Sequence, residues 1–124
     1  MARRAQAEAD RLVIAPRFRV VAGRQIALGP GKAELLRRIG ETGSIQQAAQ
    51  QMDMSYMRAW TLVRTMNACF REPLVETARG GSRRGGAQLT DAGREVLALY
   101  LELEERAARA VRTPVARLRR LLQA

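Results

Sequence analysis

The sequence predicts a mainly α fold with a small β wing, and three observations lead there. Apolar residues make up 47% of the 124 residues but aromatic ones only 4%. The core must therefore be built from Leu, Val, Ile, Ala and Met, which suit helices better than packed sheets. Apolar positions recur at helical spacing over several stretches. Between two of these, the short apolar runs Leu74-Val75 and Ala87-Gln88-Leu89 flank a loop rich in Gly and Arg, the pattern of a hairpin. The length suits one domain with one core, spanning residues 17–111 after an arm, residues 1–16, and before a basic C-terminal segment, residues 112–124.

The arm is polar, Ala-rich and closed by Pro16, and is read as frayed or helical. In "FRVVAGRQIALG", alternation places Phe18, Val20 and Ala22 on one face of an extended segment. Gly23-Arg24 then offers a turn before Gln25 to Leu28, which makes a small hairpin at the edge of the domain. A first helix starts at Pro30, where a missing N–H is harmless, and buries Leu35, Leu36 and Ile39. Gly40 and Gly43 are both available to end it. Ser44 has the capping-box spacing to Gln47 and opens a second helix of about two turns, with Ile45, Ala48, Ala49 and Met52 inward. Asp53-Met54 makes a corner. Ser55 then caps a third helix running to about Phe70, whose inner positions are Ala59, Leu62, Val63, Met66 and Phe70.

The runs around "ARGGSRRGG" form the wing, with Arg79, Arg83 and Arg84 in its loop. Thr90 caps a long fourth helix with Asp91 at the positive end of its dipole. Val96, Leu99, Tyr100, Leu103, Ala107, Ala110 and Val111 form one stripe of that helix, and Leu97, Leu101 and Ala108 form a second beside it. One small domain needs only the first stripe. The second is expected to meet an identical subunit, the alternative being coverage by the arm or the C-terminal segment. The candidate dimer-interface residues are Leu97, Tyr100, Leu101, Glu104 and Ala108. Pro114 is expected to set off a short amphipathic tail.

The formal net charge is +10, and all but Lys32 of the 22 basic residues are arginine. Such an excess suits a polyanion, because neutralising phosphates releases condensed counterions. Solubility together with a base composition favouring Arg and Ala codons is the plain alternative. Cys69, with no second cysteine and no histidine in the chain, supports neither a disulfide nor a zinc cluster. "GGSRRGG" lacks the Gly-Lys-Ser/Thr ending of a phosphate-cradling loop. No acid-base or nucleophile set is evident, so no enzyme activity, cofactor or metal is expected. The N-terminal stretch lacks the apolar core of a signal peptide and no run reaches membrane-spanning length, so the expected setting is the cytoplasm, with no membrane partner.

A two-turn helix, a corner and a longer helix, kept close by Ala48 and Ala49, is a helix-turn-helix; followed by strand, basic loop, strand and helix, it is a winged one. In that arrangement the third helix lies in the major groove and the wing reaches phosphates or the minor groove. Arg58 is the candidate for bidentate contact to guanine, because its planar fork matches O6 and N7. The alternative for it is an ion pair with Asp53. Tyr56, Met57, Thr61 and Thr65 are candidates for thymine-methyl or hydroxyl contacts, and Ser44, Ser55 and Arg64 for phosphates. Trp60 lies at the border of the inner stripe and reads as a packing residue.

The segments "LGPGKAELLRRIGETGSIQQAAQQMDMSYMRAW", "MNACFREPLVETARGG" and "GGAQLTDAGREVLALY" together resemble the N-terminal DNA-binding domain of ModE-type molybdate-responsive transcriptional regulators, itself similar to the winged helix of LysR-type regulators. The resemblance covers roughly Leu28 to Tyr100. It implies a homodimer joined through the helix after the wing, bound to a palindromic operator in double-stranded DNA, and a link to molybdenum metabolism or transport. It also places Ser55, Tyr56, Arg58 and Trp60 in the recognition-helix signature. The wing departs from the family's nearly pure glycine by carrying Arg83 and Arg84, which should strengthen phosphate contacts. Longer members continue into oxyanion-binding domains whereas this chain stops at Ala124, so direct molybdate binding is not expected. A stand-alone DNA-binding member and a piece of a longer regulator both stay open. A non-specific architectural DNA binder and a protein-interaction winged helix are the alternative functions on the same fold.

Overall fold

The structure, a computed structural model, describes residues 13–78 and 86–123. Strand β1 (Val20–Ala22) pairs antiparallel with β2 (Gln25–Leu28) around Gly23, whose φ of +64° is the left-handed conformation the tight turn requires. Phe18 packs against the core, but Val20 and Ala22 do not share its burial. The register shifts between Val20 and Val21, which breaks the expected alternation, and β1 is the outer strand of a two-stranded sheet. Only Ala27 and Leu28, at the inner end of β2, are buried.

Helix α1 (Pro30–Thr42) begins with Pro30 in its first turn and buries Ala33, Leu35, Leu36 and Ile39. Gly43, not Gly40, ends it, in the left-handed conformation with its N–H donating to the Ile39 carbonyl at 2.8 Å. Helix α2 (Ile45–Gln51) is capped as expected, Ser44 Oγ accepting from the Gln47 N–H at 3.1 Å. The return half of the capping box is replaced: the Ser44 N–H donates to Thr42 Oγ1 at 3.2 Å. Asp53 turns the corner at φ +54°, within reach of a short polar side chain. Helix α3 (Tyr56–Cys69) then starts with Ser55 Oγ accepting from the Arg58 N–H at 3.1 Å. Its inner positions Ala59, Val63 and Met66 are fully buried, while Leu62 and Phe70 sit half-buried at the edge. The helix stops one residue before Phe70, whose backbone is extended. Ala48, Ala49 and Ala59 are at most 1% exposed. Larger side chains there would force α2 and α3 apart.

The wing stem is β3 (Val75–Thr77) paired antiparallel with β4 (Ala87–Leu89), Val75 opposite Leu89 and Thr77 opposite Ala87. It is lashed to the helices by backbone. Ala87 N–H donates to the Gly43 carbonyl at 2.9 Å, and Thr90 N–H to the Leu74 carbonyl at 2.9 Å. Thr90 Oγ1 both donates to the Pro73 carbonyl at 2.7 Å and accepts from the Gly93 N–H at 3.0 Å. Gly93 is required by close approach: a Cβ there would stand 2.1 Å from the Leu74 carbonyl oxygen.

Helix α4 (Asp91–Ala110) departs from expectation. Only Gly93 and Tyr100 are buried, with Val96 and Leu97 packed partly against the core. Leu99 and Leu103, assigned by periodicity to the inner stripe, are 53% and 47% exposed. Past Tyr100 the helix outruns the core, and what the described chain brings to it is the segment before β1: Ile14 and Pro16 lie beside Ala108, Val111 and Val115. Pro114 does set off a last segment, which is helical. It lies inside the first turn of α5 (Arg112–Leu121), and the helical ladder continues on both sides, Val111 N–H to the Ala107 carbonyl and Val115 N–H to the Val111 carbonyl, each 3.0 Å. Pro114 has no N–H for the Ala110 carbonyl and its ring crowds that group, which accounts for the break at Val111.

Candidate nucleic-acid interface

The first two turns of α3 carry the surface that the sequence singles out. The Ser55 cap fixes where the helix begins, and the buried Ala59, Val63 and Met66 fix which way it is turned. The opposite face then presents Tyr56, Met57, Arg58, Thr61 and Arg64 to solvent, with Met57 66% and Tyr56 47% exposed. Thr65 is half-buried at the margin. Thr61 Oγ1 donates to the Met57 carbonyl at 2.9 Å and Thr65 Oγ1 to the Thr61 carbonyl at 3.0 Å. Both hydroxyl oxygens keep lone pairs for an incoming donor. Trp60 is half-buried against the core, as a packing residue should be.

Charge separates this helix from its neighbours. On α1, Arg37 and Arg38 are engaged by Glu34 and Glu41; on α4, Arg94 pairs with Asp91, Arg106 with Glu102 and Arg109 with Glu105. Helix α3 contains no acid at all. Among the described residues Arg58 and Arg64 have no carboxylate partner, and the Asp53–Arg58 pair weighed from the sequence does not form. Two guanidinium groups are thus available, one at each level of the exposed face. Ser44 and Ser55 spend their side-chain oxygens on caps; Ser55 stands at the start of α3, and Ser44 starts α2, where its backbone bridges to Gly86 of the wing. Arg79, Arg83 and Arg84 lie outside the described residues; the structure gives the wing stem that carries them.

Sequence reasoning missed Asn67. Its carboxamide oxygen accepts from the Leu74 N–H at 2.8 Å and the Val75 N–H at 3.2 Å, and its NH2 donates to the Val75 carbonyl at 3.1 Å. One side chain on α3 therefore stands in for a strand partner and holds the wing to the reading helix. An Asn inside a helical run was the only available signal, since its side chain competes with the helix backbone and needs a reason to be there.

The candidate dimer residues are divided by the structure. Tyr100 is 2% exposed and its O–H donates to the Phe18 carbonyl at 3.0 Å, so it belongs to the core and ties α4 to the hairpin segment. Burial, then the nearby Glu104 carboxylate, pushes its pKa up. Leu97 is shared with the core, Glu104 is half-buried, and Leu101 and Ala108 are exposed. Among the described residues, no cluster of three or more metal-ligating side chains occurs and no helix is long and apolar enough to cross a membrane.

Two-turn helix, corner, exposed basic helix and antiparallel wing stem define a winged helix-turn-helix. The family profile for bacterial regulatory helix-turn-helix proteins of the lysR family matches residues 31–94, just over half of the chain, and the chain belongs to that family. Curated relatives include the molybdenum transport protein ModE of Azotobacter vinelandii, 45% identical over 78 residues, which are 63% of this chain and 29% of that protein. The molybdenum-pterin-binding protein MopB of Rhodobacter capsulatus is 43% identical over 77 residues, 62% of this chain and 28% of that one. The DNA-binding transcriptional dual regulator ModE of Escherichia coli K12 is 41% identical over 71 residues, 57% and 27% of the respective chains. The chain thus matches less than a third of the length of each. Among solved structures, the CbnR_DBD-DNA complex aligns with a TM-score of 0.53 at 22% identity over 68% of this chain and 95% of that one, a likeness of fold.

Proposed function

We propose that this chain is a sequence-specific, double-stranded DNA-binding transcriptional regulator, a binding protein and not an enzyme. It works in the cytoplasm as a homodimer on a palindromic operator, and is tied to molybdenum metabolism or transport. The observation that carries the reading is the acid-free exposed face of α3, where Arg58 and Arg64 have no carboxylate partner among the described residues and stand beside Tyr56, Met57 and Thr61. Base edges in a major groove offer acceptors to such guanidinium groups and methyls to such apolar side chains. Arg58 is the guanidinium for guanine and Thr65 joins Tyr56, Met57 and Thr61 at the bases, while Ser44, Ser55, Arg64 and the wing arginines serve phosphates. The dimer is supported by the leucines that α4 leaves exposed, and the molybdenum link by the names of the relatives that share this domain.

Selection of bound duplexes from a random pool tests the reading. A palindrome whose half-sites stand about one helical turn apart, or a multiple of it, is expected. Binding without any recovered motif would favour the architectural alternative, to which the net charge of +10 is also suited.

A further inference from the structure

The last acid of the chain is Glu105, and six arginines follow it between Arg106 and Arg120, so charge is segregated along the arm formed by α4 and α5. Arg106 and Arg109 are held by Glu102 and Glu105, whereas Arg112, Arg119 and Arg120 have no ionic partner among the described residues. These three stand around a groove of about 580 Å³ that opens where α4 gives way to α5. One wall is the arm itself. Ala108, Val111, Val115 and Ala116 recur at helical spacing, so one apolar face runs across the break at Val111. The other wall is the segment before β1. Ile14 and Pro16 are half-buried while Val13 and Ala15 are exposed, the alternation of an extended chain with one side laid against a neighbour. Val115, across the groove, is the one residue of α5 that is not exposed.

We propose that this groove is a binding site for a small amphipathic carboxylate, its hydrocarbon body held between Ile14 and Val115 and its head on the guanidinium groups of Arg112, Arg119 and Arg120. The volume falls within the roughly 300–1,000 Å³ of small-molecule sites, and the make-up is theirs too: apolar walls with a few charged groups to fix orientation. A guanidinium fork matches a carboxylate with two parallel bonds, and no acid lines the groove to compete for it. The hydrocarbon leaves water as it enters. An inorganic anion or a DNA backbone would satisfy the arginines and leave the walls wet, and a neutral hydrocarbon would do the reverse. An amphipathic carboxylate satisfies both. Neither α3 nor the wing contributes to the groove, so the site stands independently of the DNA reading. Bound there, the ligand joins the arm to a segment that leads within two residues to Phe18, whose carbonyl takes the Tyr100 O–H.

Calorimetric titration of the full chain with decanoate, below the concentration at which it forms micelles, tests the site. One saturable site per chain is expected. Acetate, which lacks the hydrocarbon, and decyltrimethylammonium, which reverses the charge, should each bind at least about tenfold more weakly. Arg119→Gln with Arg120→Gln should weaken decanoate about tenfold or more. Both side chains are exposed, so that variant should keep the native circular dichroism. Arg94→Gln, outside the groove, should bind decanoate like the native chain. The absence of saturable binding, equal binding of decanoate by the Arg119 and Arg120 variant, or equal binding of the ammonium would overturn the proposal. So would an affinity that falls as protein concentration rises, which gives the groove to a second copy. Binding that appears only with Glu8→Gln and Asp10→Asn in place would overturn it too, and give the groove to residues 1–12.

Discussion

Helices α3 and α4 both leave large apolar side chains in water, and the company those side chains keep differs. On α3, Tyr56 and Met57 stand among threonines and two arginines that have no ionic partner among the described residues, on a helix with no acid. On α4, Leu99, Leu101 and Leu103 stand among other leucines and glutamates, and the nearest arginines are paired with glutamates four residues away. The first surface offers donors, acceptors and cations that want an anionic, hydrogen-bonding partner. The second offers rows of hydrocarbon whose flanking charges are already matched in part, which want a partner of the same kind. Exposure alone does not distinguish the two surfaces; the chemistry of the side chains around each exposed apolar group does.

That contrast can be broken at four places. Asn67→Ala cuts the wing from α3 and leaves the fully buried Leu74 N–H without its partner; the fold should lose about 3 kcal/mol in denaturant titration. A loss below about 1 kcal/mol would mean that water replaces the carboxamide. Leu99→Glu with Leu103→Glu should remove the protein face only. Dimer association is expected to weaken by about 2–4 kcal/mol in sedimentation, with the α3 surface intact by its contact with a single half-site. An unchanged mass would return those leucines to a role within one chain. Arg58→Ala should act on the other face: preference for the selected site over random DNA falls by about 1–3 kcal/mol while the monomer–dimer balance stays put. Equal loss on both kinds of DNA would make Arg58 a phosphate contact.

Tyr100→Phe is the mildest change, about 0.5–1.5 kcal/mol for the bond to Phe18. It also carries a pH signature. Because burial and Glu104 raise the phenol's pKa from its ordinary value of 10.0, the folded state favours the neutral form. That stabilisation is complete below the unfolded value and is lost as pH rises through the higher folded one. Thermal unfolding followed above pH 10 should therefore fall less steeply for the phenylalanine variant than for the native chain. Parallel curves would remove Tyr100 from the alkaline transition.

Much of the site was legible because it is written in short-range pattern. Ser44, Ser55 and Thr90 stand directly before helical runs, and all three cap as their positions indicate. The buried face of α3 follows from its spacing, so the exposed face with Arg58 and Arg64 follows too. Asn67 was not legible, since its partners at Leu74 and Val75 are brought to it only by the turn after Phe70. Leu99 and Leu103 were misplaced for a related reason. Their spacing marks an apolar face, but spacing does not say how far the domain extends beneath it.

What the sequence determined by itself is whatever neighbours within about four residues decide: helix starts and stops, which residues share a face, the turn at Asp53, the sign of the charge and its segregation along the last arm. Tertiary structure decided which apolar faces were used up inside the chain and which were left over. Tyr100 went to the core and Leu103 to the surface though both lie on one predicted stripe, because Phe18 returns to meet the first and nothing in the described chain reaches far enough to cover the second. Burial depends on where distant segments come to rest, and periodicity carries no information about that.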